Sequence, residues 1–195
     1  MLLIKFRKIV PLSFQMDKQV LLHDKKFSLY IDEEIILQRI KELAIAIEND
    51  YRNKEVILLC ILNGAFMFSS DLSKEITSNI EISFVKVSSY VGTESTGTVD
   101  ELIGLNSTLK NKHVVIVEDI VDTGLTIDKV IFLLKDKHPL SVEICTMLYK
   151  PEAFSGKHRP KYVGFDIPNK FVVGYGLDYN ELGRNLREIY QLIPE

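Results

Sequence analysis

The stretch Val114–Thr126 reads VVIVEDIVDTGLT. Its four apolar residues, Val114 to Val117, form a run too continuous for a half-exposed strand, so they predict a strand buried on both faces and stopped by Glu118 and Asp119. Beyond the acids come Asp122, Thr123, Gly124, Leu125 and Thr126, then Ile127, Val130, Ile131 and Leu134 at helical spacing. The reading is strand, turn, helix. Backbone N–H groups without partners in a first helical turn point into such a turn, and successive ones form a nest for an anion. Phosphate is the natural guest, yet bare carboxylates repel it. A ligand carrying both a ribose and a phosphate resolves the conflict: carboxylates take hydroxyls, and N–H groups with Thr hydroxyls take phosphate. Three acids at the strand end where open sheets bind ligands favour this over solvated acids beside a helix cap.

Working outward, the same alternation recurs. Asp32 can cap a helix whose Ile36, Ile40, Leu43 and Ile47 make an apolar stripe, with Glu33 and Glu34 in its first turn. Val56 to Leu62 reads as a central parallel strand ended by Asn63-Gly64, Ala65 to Ile76 as a returning helix, and Ile80 to Val87 as the next strand. With the strand Val142 to Leu148, the pattern is α/β: a mostly parallel central sheet flanked by helices in a single domain spanning 1–195. The segment 88–109 is rich in Ser, Thr and Gly and unusually long for a connection between elements expected to be neighbours, which predicts a mobile lid or hairpin over a site. Residues 151–195 carry the short strand-like pieces YVGFDI and FVVGY around Pro168-Asn169, then Gly174, Gly176 and Asp178. These residues are expected to form most of a small hood beside the sheet, with a possible contribution from an irregular or extended arm, Met1 to Gln15.

Composition narrows the partners. A net charge of -3 leaves no broad basic field for nucleic acid. Cys60 and Cys145 lie in the apolar runs VILLCIL and VEICTML, which suits buried thiols in a reducing compartment. The first ten residues are too short and interrupted for a signal peptide, and no run approaches the roughly 18 apolar residues of a membrane span. The expected setting is the cytoplasm, without a membrane partner. HExxH, paired CxxC, GxGxxG and GxxxxGK[ST] do not occur. Lys150 follows a buried-strand pattern, where an unpaired ammonium is costly, so it is expected to reach a polar ligand or an acid.

Taken together, these motifs resemble a known family. VVIVEDIVDTGLT is similar to the phosphoribosyl-pyrophosphate (PRPP) motif of type I phosphoribosyltransferases. Ser89-Tyr90, Lys150 after TMLY, FVVGYGLDYNELGR from Phe171 to Arg184, and ILNGAF from Ile61 to Phe66 narrow the resemblance to the hypoxanthine-guanine phosphoribosyltransferases. It implies the type I fold with a hood, and transfer of a 5-phosphoribosyl group from PRPP to N9 of a 6-oxopurine in purine salvage, giving IMP or GMP and pyrophosphate. It also implies Mg²⁺ and a homodimer or homotetramer. By the same resemblance, Glu118 and Asp119 bind the ribose hydroxyls, directly or through a metal–water shell, and Asp122 faces the purine as proton acceptor. The turn from Asp122 through Thr123, Gly124 and Leu125 to Thr126 cradles the 5′-phosphate. Leu62, Asn63, Gly64, Ser89, Tyr90 and Arg184 serve the pyrophosphate, and Asp178 a second Mg²⁺. Lys150, Phe171 and Val172 serve the base, through O6, stacking and backbone contacts.

One departure stands out. Members of the family often carry a basic residue between Leu and Gly in the first loop, and here Asn63 occupies that position, able to donate a hydrogen bond but supplying no charge. The Leu62-Asn63-Gly64 backbone is a place where the family often has a strained or cis peptide. A relative acting on xanthine and a nucleotide-binding regulator remain the competing readings.

Overall fold

All six side chains of Val56–Ile61 and the four from Val114 to Val117 are buried, and they form the centre of the larger of two sheets. The computed structural model describes residues 8–9, 18–91, 98–105 and 107–194, with the backbone alone for 8–9, 88–91 and 98–103. In chain order its elements are β1 (Lys8–Ile9), β2 (Gln19–Leu22), β3 (Lys25–Ile31), α1 (Glu33–Asp50), β4 (Val56–Ile61), α2 (Phe66–Glu75), β5 (Glu81–Val91), β6 (Thr98–Ile103), β7 (His113–Val121), α3 (Leu125–Leu134), β8 (Ser141–Tyr149), β9 (Tyr162–Asp166), β10 (Val172–Val173) and β11 (Ile189–Leu192). The main sheet runs β1-β9-β8-β7-β4-β5-β6, and every pair is parallel except β5 with β6.

Successive residues of a strand face opposite sides, and both sides are covered. Val115 and Val117 pack with Ile36, Ile40 and Leu43 of α1 and Phe68 and Leu72 of α2, whereas Val114 and Ile116 pack with Ile127, Val130 and Leu134 of α3. The start of α1 follows the sequence closely, with the Asp32 carboxylate accepting the Glu34 N–H at 2.9 Å. Cys60 and Cys145 are buried and unpaired, and burial pushes the Cys60 thiol up to about 11. No described helix is long and apolar enough to cross a membrane.

Three features differ from the sequence expectation. The acids Glu118 and Asp119 do not end β7. Its pairing with β4 finishes at Cys60↔Val117, but β8 continues alongside through Val121↔Tyr149, so the backbone stays extended. Second, β5 and β7 are not neighbours, because both pair with β4. The intervening segment begins as an antiparallel hairpin, one of the two forms expected of it, with backbone pairing from Lys86↔Ile103 to Val91↔Thr98. Residues 92–97 and 106 of that segment lie outside the described residues.

Third, the hood is a four-stranded antiparallel sheet, β10-β11-β3-β2, around Phe27, Val173 and Tyr190. Half of its strands come from residues 19–31, and β9, although within 151–195, belongs to the main sheet. Two tail strands of two and four residues are too short to form a sheet alone, and the seven-residue β3 supplies their template. Of the expected arm from Met1 to Gln15, only Lys8–Ile9 is described, paired in parallel with Phe165 and Asp166.

Ile116 is fully buried in the central strand against α3, so Ile116→Ala should cost about 2–5 kcal/mol. Urea unfolding should show a lower midpoint at an unchanged slope.

Candidate active site

The topology creates a crevice. The chain leaves β4 toward α2 on one face and leaves β7 toward α3 on the other, the switch point at which open parallel sheets bind ligands. A cleft of about 470 Å³ opens there, lined by the 61–64 segment, Glu118, Asp119, Leu125 and Thr126, with Lys86 and Lys129 contributing cations.

The floor of the cleft is electrostatically uneasy. One oxygen of Glu118, Oε2, is buried and accepts no hydrogen bond. Burial, and secondarily the charge of Asp119, hold the Glu118 carboxyl well above the usual carboxylate range. Burial pushes Asp119 up to about 6, opposed by the Ile120 N–H, which donates to its Oδ1 at 2.8 Å, and by Arg184. Asp178 adds repulsion to Asp119. Two adjacent, poorly solvated carboxylates at a cleft floor call for a proton, a hydroxyl or a cation.

Backbone brings the neighbouring loop hard against these acids. The Leu62–Asn63 peptide is cis. A Cβ at Gly64 would lie 1.7 Å from Oδ2 of Asp119, and a Cβ at Gly176 would lie 1.9 Å from the Gly64 carbonyl oxygen. Glycine is therefore required twice in one stack running from β7 through the 62–64 loop to the hood.

The turn before α3 is braced from behind. Gly124, at φ 84°, is the N-cap of α3 and brings no side chain of its own to the helix start. The Thr123 carbonyl accepts the N–H groups of Ser155 (3.0 Å) and Gly156 (2.9 Å), and the Phe154 ring sits where a Gly124 Cβ would project. The Thr123 hydroxyl accepts weakly from Leu125 N–H at 3.4 Å, and Thr126 faces the cleft.

Asp122 lies just before this turn and accepts from the Lys150 ammonium at 2.6 Å. The Lys150 side chain is only 8% exposed, so the cation expected to seek an acid or a ligand has its acid. In the hood, Arg184 pairs with Asp178 at 2.7 Å and donates to the Gly176 carbonyl at 2.9 Å. Phe171 is 47% exposed, edge-on to Tyr179 at 5.9 Å, and Val172 is buried in its pairing with Gln191. Ser89 and Tyr90 lie in β5, opposite Asp100 and Val99, with their backbone alone described.

Sequence reasoning passed over Lys86, Lys129 and Phe154. Lys129 had a signal, standing three residues after Thr126 and hence on the same helical face. Lys86 and Phe154 had none, because the first lies in an ordinary strand pattern and the second in an irregular loop.

Residues 30–180 match the model of the phosphoribosyl transferase domain. A hypoxanthine-guanine phosphoribosyltransferase of Staphylococcus aureus (strain Mu50) is 45% identical over 175 residues, covering 89% of this chain and 98% of its own. The chain belongs to the hypoxanthine-guanine phosphoribosyltransferase family. A crystal structure of a family member, the hypoxanthine phosphoribosyltransferase from Staphylococcus aureus, superposes with a TM-score of 0.78 at 45% identity, covering 86% of this chain and 91% of that one. Another, a hypoxanthine-guanine phosphoribosyltransferase from Bacillus anthracis, gives 0.77 at 35% identity, covering 85% and 97%.

The raised carboxyl of Asp119 makes a stability prediction. Its folded value of about 6 exceeds the ordinary 3.8, so the folded state holds the proton more tightly, and stability falls as pH rises between these values. Asp119→Asn removes the charge while its amide oxygen can still accept the Ile120 N–H. Thermal unfolding without ligand should show the variant more stable at pH 7.5, by on the order of 5 °C, with the gap closing at pH 4.

Proposed function

We propose that the chain transfers the 5-phosphoribosyl group of PRPP to N9 of hypoxanthine or guanine, giving IMP or GMP and pyrophosphate in purine salvage. The observation that carries this reading is the Asp122–Lys150 pair beside the glycine turn that opens α3, because it sets a proton acceptor and a buried cation next to a phosphate cradle.

Substitution at the ribose C1 passes through an electron-poor, oxocarbenium-like state. The residues are arranged to favour it. The turn from Asp122 to Thr126 holds the 5′-phosphate with backbone N–H groups and the hydroxyls of Thr123 and Thr126, fixing the sugar by one end. Glu118 and Asp119 receive the 2′ and 3′ hydroxyls. Asp122 hydrogen-bonds the incoming base and takes its proton as N9 bonds to C1, so its basicity matters as positive charge develops on the base. Lys150 donates to O6, Phe171 stacks through its exposed face and Val172 meets the base edge with its backbone. The Leu62–Gly64 loop, Arg184 and the Ser89-Tyr90 segment take the pyrophosphate, with closure of that segment excluding water.

Mg²⁺ fits these residues. Among the described residues no three His, Cys, Asp or Glu side chains form a ready cage, but Mg²⁺ takes only one or two carboxylates and completes its shell with phosphate oxygens and water. The unsatisfied Glu118 Oε2 beside Asp119 suits such a shared site, and Asp178 offers a second. Bound there, the ion supplies charge neutralisation to the leaving pyrophosphate. The buried thiols support a cytoplasmic setting, and the family resemblance supports a homodimer or homotetramer.

A panel of purines with PRPP and Mg²⁺, following nucleotide and pyrophosphate together, tests the reaction; absence of nucleotide from both hypoxanthine and guanine would overturn it. Asp122→Asn should lower kcat by about 10²-fold or more while nucleotide affinity changes little, measured by steady-state kinetics and IMP titration. Lys150→Ala should narrow the ratio of kcat/KM for hypoxanthine over adenine, and an unaltered ratio would remove O6 recognition from Lys150.

A further inference from the structure

Outside the residues just assigned, one partly buried polar contact joins the hood to the helix that follows the 62–64 loop. Tyr175 is 3% exposed, and its hydroxyl donates to Oδ2 of Asp71 in α2 at 2.7 Å. A buried tyrosine needs some partner for its hydroxyl, so the bond alone says little. Its backbone setting says more. Tyr175 has φ 51°, uncommon for a residue with a bulky side chain, and stands between Gly174 at 93° and Gly176 at 99°. Such a run persists only where the surroundings over-determine it.

The surroundings can be named. Gly176 rests on the Gly64 carbonyl with no room for a methyl group, and its own carbonyl accepts from Arg184. The Gly176 N–H returns to the Arg184 carbonyl at 3.0 Å, and Arg184 carries Asp178 at 2.7 Å. The left-handed turn therefore supports both halves of the pyrophosphate side: the 62–64 loop beneath it and the Asp178–Arg184 pair beside it. Asp71 lies less than two helical turns into the helix launched by that same loop. Its second oxygen, Oδ1, is held by Lys74 at 2.8 Å.

We propose that Tyr175 and Asp71 are positioning residues for the pyrophosphate end of PRPP. Their hydrogen bond latches the 174–176 turn onto α2 and so keeps the Gly64 backbone, Arg184 and Asp178 in one arrangement. The latch touches neither the reacting atoms nor the 5′-phosphate turn. It rests on the reaction proposed above.

The distinguishing property is a split between ligands. Tyr175→Phe and Asp71→Ala should each weaken binding of PRPP with Mg²⁺ by about tenfold, the size expected for one lost hydrogen bond, and leave IMP affinity within about twofold. Asp71→Asn keeps an acceptor for the hydroxyl and should bind PRPP like the parent. The double variant Tyr175→Phe/Asp71→Ala should be no weaker than either single change. Calorimetric titration of the full chain with each ligand reads all of this without turnover, and thermal unfolding monitors foldedness in parallel. Should Tyr175→Phe fail to fold, the comparison of Asp71→Ala with Asp71→Asn carries the test. Equal weakening of PRPP and IMP, or unchanged PRPP affinity in Asp71→Ala, would overturn the latch. Failure of the parent chain to bind PRPP at all would instead overturn the proposed reaction.

Discussion

The pairing of β4 with β7 ends one residue before Glu118, and the architecture of the site depends on that ending. Up to Cys60↔Val117 the two strands are central, apolar and buried on both faces, so their register is firmly held. Beyond it β8 alone keeps β7 extended, and the side that β4 has vacated becomes the cleft floor. Had β4 continued, the acids would lie inside a sheet. Had β8 stopped too, they would sit on a loose loop. The unequal lengths of two neighbours hold a pair of carboxylates rigid and accessible together.

Much of this was written locally. The 3.6-residue stripe from Ile36 to Ile47 and the Asp32 cap gave α1, and the unbroken apolar runs gave β4 and β7. The turn from Asp122 to Thr126 was legible in order because a strand-to-helix turn is built from consecutive residues. What escaped were relations between distant segments. The first half of β5 was legible as Ile80 to Val87, but its continuation through Val91 and its partner β6 follow from a backbone ladder between two polar, Ser- and Thr-containing stretches. The tail strands are too short to announce the partner that templates them. Lys86 reaches the cleft only through the order of strands, which composition does not encode.

The site is also costly to the empty fold. Glu118 and Asp119 are held above the usual carboxylate range chiefly by burial, with Asp119 adding repulsion at Glu118 and Asp178 at Asp119, and an orphaned carboxylate oxygen remains there. Such an arrangement trades stability for readiness: on the proposed assignment, a ligand that partners these carboxyls relieves a penalty already present in the free protein. Lys150 and Asp122 follow the opposite logic. They neutralise each other in the free protein, which keeps a buried ammonium tolerable.

The hood joins segments far apart in sequence: Ile31 of β3 pairs with Ile189 of β11. Contacts so distant in sequence form late, since loop-closure entropy must be overcome before they stabilise anything. During synthesis the parallel sheet from β4 to β8 has all its strands before β11 leaves the ribosome. The phosphate turn can thus be assembled while Phe171 and Val172 have no β11 to align against, and β3 waits with an unpaired edge. On the proposed assignment, base recognition is in this sense the last property the chain acquires, and a nascent or C-terminally shortened molecule would have the turn before α3 without the completed hood strand that carries Phe171 and Val172 against β11.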